Sequence, residues 1–375
     1  MFEKFGEILE NRHEYAREWK KRTGGKVVGF FCSYAPEEFL QAANILPVRI
    51  IGRHKSSDKV GKHIAPNIGC SFWDALGAGL EKEYDYLDGI VQGQTCLHTG
   101  EAFWVWQKEI PVEFSYFLPV PHSTQNVGRE EYLAVEYANF KKALEEWIGK
   151  EITNEDLDRG IASFNTNRQL IREIFEYRQK DDPPVTGAEA LDLALSGQIM
   201  DRDEHNEMMR EVLKKLPERK MDRETGTRIM IIGSVNTDRE FMDMVENQCD
   251  LDATIVIDDT CTGIRYNFND VNAADDRLMA ISLRYNHRPP CPNKDWPRRR
   301  RIPFIKHLIK AYNVEAVILF NHKFCQPHQL DNAVIERELR AMDIPQLTLE
   351  FDIRIPIGQF RTRVEAMLET TMDII

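Results

Sequence analysis

Short apolar runs, each closed by turn residues and followed by a helix-patterned stretch, occur in two separate sets along this chain, and that alternation constrains its fold more than any other feature. The first set is Val27–Phe31, Val48–Ile51, Gly89–Val91 and Val112–Phe117. The second is Arg228–Ile232, Thr254–Ile257, Ala316–Phe320 and Gln346–Phe351. Runs of this length with helices between them build parallel sheets, because each parallel pair needs a long crossover and a helix supplies it. Pro36 suits the first turn of a helix through Glu37, Glu38, Phe39, Ala42 and Ala43, and Ser71–Leu80, Phe304–Ala311 and Asp331–Met342 are further helices. Between the two sets, Phe140, Leu144, Trp147 and Ile148, then Ile161, Phe164, Leu170, Ile171 and Ile174, recur at helical spacing. Asp181-Asp182-Pro183-Pro184 interrupts that pattern, and Gly187–Leu213 resumes it. Residues 1–22 form an amphipathic entry helix with Phe2, Phe5, Ile8 and Leu9 on one face, stopped by Gly24 and Gly25. The expected fold class is α/β, with two doubly wound parallel-sheet domains. Its expected parts are an N-terminal helix (1–22), a first α/β domain (23–130), a helical connector (131–224) and a second α/β domain (225–375).

Composition narrows the function. The net charge of −12, from 49 basic and 61 acidic residues, argues against general nucleic-acid binding, which needs a basic face for the phosphates. The segment Met1–Arg22 lacks the apolar core of a signal peptide, and no window approaches the ~18 apolar residues of a membrane span. The expected location is the cytoplasm, away from membranes. Seven cysteines in such a reducing compartment are not expected to form structural disulfides. They remain as buried apolar residues, reactive thiols or metal ligands.

No C-x-x-C pair or ferredoxin-like run announces a metal site. Position is more informative. Ligands of open parallel sheets bind outside the carboxyl ends of the strands. Cys32 follows Val27–Phe31, Cys96 follows Gly89–Val91, Cys261 follows Thr254–Ile257, and Cys325 follows Ala316–Phe320. Cys70 precedes a helix, and Cys291 lies in the Pro- and Arg-rich loop His287–Arg301. Cys249 alone precedes its strand and is expected only to pack. Soft thiolates suit the iron of clusters. Structural zinc, the rival, uses close cysteine pairs in small modules, unlike these dispersed positions.

Among other residues, His98 stands two after Cys96, where it suits proton donation or a hydrogen bond to sulfur. His322 and His328 flank Cys325 with weaker claims. Glu37 and Glu38 are expected to meet a helix dipole, and Trp104, Trp106 and Phe103 to pack. The run Arg298-Arg299-Arg300-Arg301 suits either CoA phosphates, an acidic partner or plain solvation.

Several segments resemble the benzoyl-CoA reductase and 2-hydroxyacyl-CoA dehydratase family over almost the whole chain. They are Phe31-Cys32-Ser33-Tyr34-Ala35-Pro36-Glu37-Glu38, Ala42-Ala43-Asn44-Ile45-Leu46-Pro47-Val48, the cysteines Cys70 and Cys96, Glu204-His205-Asn206, Asp258-Asp259-Thr260-Cys261-Thr262-Gly263, and Lys323-Phe324-Cys325-Gln326-Pro327. Asn11–Arg17, Arg288–Trp296 and Val364-Glu365-Ala366 are most similar to gamma-type core subunits of ATP-dependent benzoyl-CoA reductase. The resemblance implies two flavodoxin-like domains with a 4Fe–4S cluster between them, held here by Cys70, Cys96 and Cys325. Cys32, Cys261 and Cys291 exceed that set, and the six together match the places used by a double-cubane branch of the family. By the same resemblance, the expected function is low-potential electron transfer for dearomatising reduction of an aromatic acyl-CoA. The alternatives are the small subunit of a 2-hydroxyacyl-CoA dehydratase and a double-cubane reductase of small molecules. The implied partners are a paralogous core subunit, with the acyl-CoA held either there or in this chain, and a separate ATP-hydrolysing iron–sulfur activator, since this chain carries no G-x-x-x-x-G-K-[ST] loop.

Overall fold

The structure, a computed structural model, describes residues 1–65 and 71–372; Cys70 lies outside the described residues. Strands β1 (Lys26–Phe30), β2 (Ile45–Arg49), β3 (Gly89–Gly93) and β4 (Phe114–Leu118) form one sheet in the order β2-β1-β3-β4. Strands β5 (Thr227–Gly233), β6 (Ala253–Asp259), β7 (Ala316–His322) and β8 (Gln346–Phe351) form a second in the order β6-β5-β7-β8. Every pairing is parallel. Each sheet therefore reverses its strand order between its first and third strands, as in flavodoxin-like folds. The α/β class and both parallel sheets stand as the alternation of strands and helices predicts. Strand ends differ from the expected ones by a few residues. The first set's last strand starts at Phe114 rather than Val112, because the Glu113 and Phe114 amides both donate to the Asp88 carbonyl (2.8 and 3.1 Å) before regular pairing begins.

Both faces of each sheet are covered, which explains the nearly unbroken apolar strands. Val27 packs with Trp19, Phe31 and Trp106 on one side, while its neighbour Val28 packs with Phe39, Tyr137 and Phe140 on the other. In the second sheet Ile229 and Ile231 face Phe241 and Phe360, and Met230 and Ile232 face Phe175 and Leu193. Each such fully buried side chain contributes about 1.5–3 kcal/mol.

The entry segment is two helices, Glu3–Glu10 and Arg12–Thr23, with the break at Asn11, whose side-chain amide donates to the Glu7 carbonyl at 2.9 Å. Asparagine competes with helix backbone in this way. The break divides the segment between cores: Phe2 and Phe5 join the second sheet's, while Ala16 and Trp19 join the first sheet's.

Four helices, Arg129–Ile148, Asn154–Glu176, Gly187–Ser196 and Arg202–Lys215, lie between the sheets in sequence. The second and third open with reciprocal capping boxes, Thr153 with Asp156 and Thr186 with Glu189. After β6 the chain crosses back: Val271, Ala280, Ile281 and Tyr285 enter the same core as Val28 and Phe30. This return carries the loop containing Cys291 onto the loops of the first sheet.

Glu37 and Glu38, expected to serve a helix dipole, are buried instead against cations from the intervening helices. Glu37 pairs with Arg202 at 2.8 Å and accepts from the Tyr266 hydroxyl; Glu38 pairs with Arg168 and the Tyr285 hydroxyl. The network joins the first sheet's helix, the intervening helices and the segment after β6.

Gly226, just before β5, has φ +57°, and a Cβ there would sit 1.9 Å from the Asp252 carbonyl oxygen. That carbonyl accepts from the Thr227 amide and starts the β5–β6 pairing. Gly226→Ala is expected to lower stability by about 2–3 kcal/mol, seen as a lower urea midpoint, because left-handed backbone and a backbone clash add.

Candidate functional site

The carboxyl ends of the two sheets face one another at their strand-order reversals, and the cysteines meet there. Cys32, Cys96, Cys261, Cys291 and Cys325 line one pocket, with Thr95, His98, Ser234, Val235 and His328 among its other walls. Its cavity volume is about 50 Å³.

Each thiol is placed by a local device. Cys32 leaves β1 in a turn closed by the Ala35 amide on its carbonyl (3.1 Å). Cys96 caps the helix Leu97–Glu109, where the Thr99 hydroxyl donates to its carbonyl (2.8 Å) and stands 3.7 Å from its sulfur. Cys261 follows β6; its amide donates to the Ser234 carbonyl (2.7 Å), and Arg49 donates to its own carbonyl (2.9 Å). Cys291 opens the short 3₁₀ turn Pro292–Lys294, with its amide donating to the Tyr34 hydroxyl at 3.3 Å. Cys325 caps the helix Gln326–Arg340 and follows Phe324, whose φ of +65° is unusual for an aromatic residue. Two long helices thus begin at pocket cysteines, and a helix N-terminus favours thiolate.

Burial opposes ionisation while the pocket holds only protein. It raises the Cys96 thiol, an effect that the Thr99 and His98 amides oppose. It lifts Cys291 to about 12, with Cys261 adding to the rise and Arg265 opposing it. An electropositive group among the sulfurs reverses this balance, as iron does when it binds thiolate.

The surroundings already contain cations. Arg265 Nη2 lies 3.4 Å from Cys261 Sγ. Arg288 stacks 3.8 Å over Tyr34 and donates to the Ser33 carbonyl at 2.8 Å. Lys294 has no exposed surface, and its ammonium donates to the Pro121 carbonyl at 2.7 Å. Burial lowers this ammonium to about 8, while Cys291, Cys32 and Cys96 act in the other direction. His328, also buried, has neither ring nitrogen partnered among the described residues. Buried polar and charged groups are normally satisfied, so these residues suit a pocket built around an anionic group.

No three His, Cys, Asp or Glu side chains among the described residues come together tightly enough to hold a single metal ion. The five described thiols instead line one pocket from separate loops. Dispersed soft donors, buried cations and two helix N-termini fit the iron–sulfur cluster that the resemblance implies, which is polynuclear and anionic.

The site residues expected from sequence divide clearly. Cys32, Cys96, Cys261, Cys291 and Cys325 come together, and Cys70 lies outside the described residues. His98 is at the pocket wall, and burial lowers its pKa. His322 is held away, its ring on the Val235 carbonyl at 2.9 Å. Cys249 packs at the far side of the second sheet with Leu251 and Leu347. Three of the four arginines in the run pair with acids of this chain, and Arg298 is exposed. Arg301 is buried between Asp259 (2.7 Å) and Asp331 (2.6 Å), while Arg299 and Arg300 lie near Asp331 and Asp295. Sequence reasoning missed Arg265 and Lys294. The available signals were a basic residue four after Cys261 on a helical turn, and a lysine inside a proline-rich cysteine loop.

Among the described residues no helix is long and apolar enough to cross a membrane. The family model for the 2-hydroxyglutaryl-CoA dehydratase D-component matches residues 32–371. The chain is 24% identical to the beta subunit of (R)-phenyllactyl-CoA dehydratase from Clostridium sporogenes, covering 98% of each chain. It is 22% identical to one of the subunits of benzoyl-CoA reductase from Thauera aromatica, covering 90% of this chain and 88% of that one. The beta subunit of (R)-2-hydroxyglutaryl-CoA dehydratase from Acidaminococcus fermentans is 24% identical, with 93% of each covered. All three are subunits of enzymes named for CoA thioesters, and the family match takes in every described pocket cysteine and all strands except β1. This chain belongs to the 2-hydroxyglutaryl-CoA dehydratase D-component family.

Proposed function

We propose that this chain is the iron–sulfur subunit of a low-potential reductase of the benzoyl-CoA reductase kind, and that its pocket holds an enlarged cluster of the double-cubane type. The observation that carries this reading is the convergence of Cys32, Cys261 and Cys291 with Cys96 and Cys325, two more described thiols than a three-cysteine cubane uses. The cluster, when bound, supplies one-electron transfer at low potential, which loss of aromaticity in an acyl ring requires. The chain's own contribution is to fix the sulfurs, exclude water and balance charge. Cys70, by its family position, is the remaining ligand. An ATP-hydrolysing iron–sulfur activator delivers the electrons, and a paralogous subunit presents the CoA thioester.

A second reading, the small subunit of a 2-hydroxyacyl-CoA dehydratase, is favoured by three dehydratase beta subunits among the relatives. Oxygen-free purification with iron and sulfide analysis tests the cluster: about eight irons per chain are expected for a double cubane, and about four contradict it. Incubating the complex and its activator with ATP and either benzoyl-CoA or a 2-hydroxyacyl-CoA separates the activities. Ring reduction is expected; water loss alone overturns the reductase reading.

A further inference from the structure

Lys294, Arg288 and Arg265 are buried beside residues of the thiol pocket, and among the described residues only Arg265 of the three has a carboxylate within ion-pair distance. Among the described residues, no carboxylate lies within the 4.0 Å ion-pair limit of the Lys294 ammonium or the Arg288 guanidinium. Among the described residues the Lys294 ammonium meets only the carbonyls of Val120 and Pro121 and the face of Tyr34, 5.6 Å away. Arg288 meets the Ser33 carbonyl and hydroxyl and the rings of Tyr34 and Tyr285, and its Nε has no partner. Arg265 lies 3.7 Å from Asp259, a carboxylate already bonded at 2.7 Å to Arg301, and its Nη1 is unpartnered. Carbonyls and aromatic faces orient a cation without neutralising it, so Lys294 and Arg288 are held inside the protein with no opposing carboxylate at ion-pair distance among the described residues, while Arg265 shares Asp259 with Arg301.

Their placement follows the thiols. Arg265 touches Cys261, and the Lys294 amide donates to the Cys291 carbonyl at 2.8 Å, which ties the lysine's backbone one short turn after that cysteine. Arg288 is tied to the residue after Cys32. Each of the cysteines beyond the three-cysteine set therefore has a buried cation fixed to it or to its immediate neighbour. Lys214, on the surface, pairs with Glu211 instead.

We propose that Lys294, Arg288 and Arg265 form a fixed cationic bracket that raises the reduction potential of the cluster iron held by Cys32, Cys261 and Cys291. This rests on the cluster reading above. Adding an electron to a buried anionic group is opposed by its own negative charge, and nearby positive charge in a low-dielectric setting relieves that opposition. Lys294 is a positioning residue: its charge acts on the cluster through space while the thiolates ligate.

The test uses the iron-loaded chain, reduced stepwise with titanium(III) citrate under argon and followed by electron paramagnetic resonance. Lys294→Met is expected to keep its iron and sulfide but to need a more negative potential. The expected shift is a tenfold fall in the reduced-to-oxidised ratio at fixed potential, about 59 mV for one electron. Lys214→Met, at the exposed pair, is expected to leave the midpoint unchanged. Arg288→Gln is expected to move it in the same direction as Lys294→Met, and decides the matter if the lysine variant does not fold. Iron-loaded protein whose midpoint is unmoved in both pocket variants overturns the bracket alone. Wild-type protein free of iron and sulfide overturns the bracket together with the cluster reading.

Discussion

Replacing Glu38 with alanine is expected to lower folding stability by about 3–5 kcal/mol, the usual cost of breaking a buried ion pair from one side. Glu38 has no exposed surface, and its Arg168 partner is 3% exposed at the side chain. Removing the carboxylate leaves Arg168 buried without its anion and takes an acceptor, 3.0 Å away, from the Tyr285 hydroxyl. The loss appears as a lower urea midpoint. The double replacement Glu38→Leu with Arg168→Met is expected to recover much of it, because the uncompensated charge is then gone. Unchanged stability in Glu38→Ala rules out the pair as a structural lock. The effect has a pH signature. Burial alone raises the Glu38 carboxyl, but Arg168 and Arg284 outweigh burial and hold it below the ordinary carboxylate range. A lowered folded pKa stabilises fully above the unfolded value, about 4.3, and that contribution disappears as pH falls through the lower folded value. The gap between wild type and Glu38→Ala should therefore narrow in acid.

Cys96→Ala and Cys261→Ala are each expected to lose the greater part of the bound iron, while Cys249→Ala keeps it. The first two remove sulfurs from the pocket wall, one at a helix N-terminus and one 3.4 Å from Arg265. Cys249 lies in the packing on the outer face of the second sheet, where burial raises its thiol to about 11 and its sulfur lies 3.5 Å from the Met244 carbonyl. A cluster's binding free energy is shared among its thiolates, and removing one also opens the site to water. The measurement is iron and acid-labile sulfide per chain after oxygen-free purification, with circular dichroism as the check on folding. Equal iron in all three variants removes the site assignment.

The expected strands were legible because parallel strands covered on both faces need unbroken apolar runs, a pattern that survives without any tertiary information. The same logic placed Cys32, Cys96, Cys261 and Cys325 at carboxyl strand ends, and the structure brings all of them to one pocket. Cys291 was harder, since its loop belongs in sequence to the second set of strands. Only the packing of Ala280, Ile281 and Tyr285 in the first sheet's core shows why that loop reaches the pocket. Glu37, Glu38 and Arg301 resemble surface residues in sequence, because a charge read alone gives no sign of a partner more than a hundred residues away or across a fold.

The sequence by itself determined the α/β class, the two parallel sheets and the strand ends that carry most pocket thiols, because backbone hydrogen bonding and hydrophobic period are local properties. Tertiary structure alone decided which cations stand behind those thiols and which acids are already taken. Charge balance in a buried site depends on distances between segments far apart in the chain, and local pattern does not encode those distances.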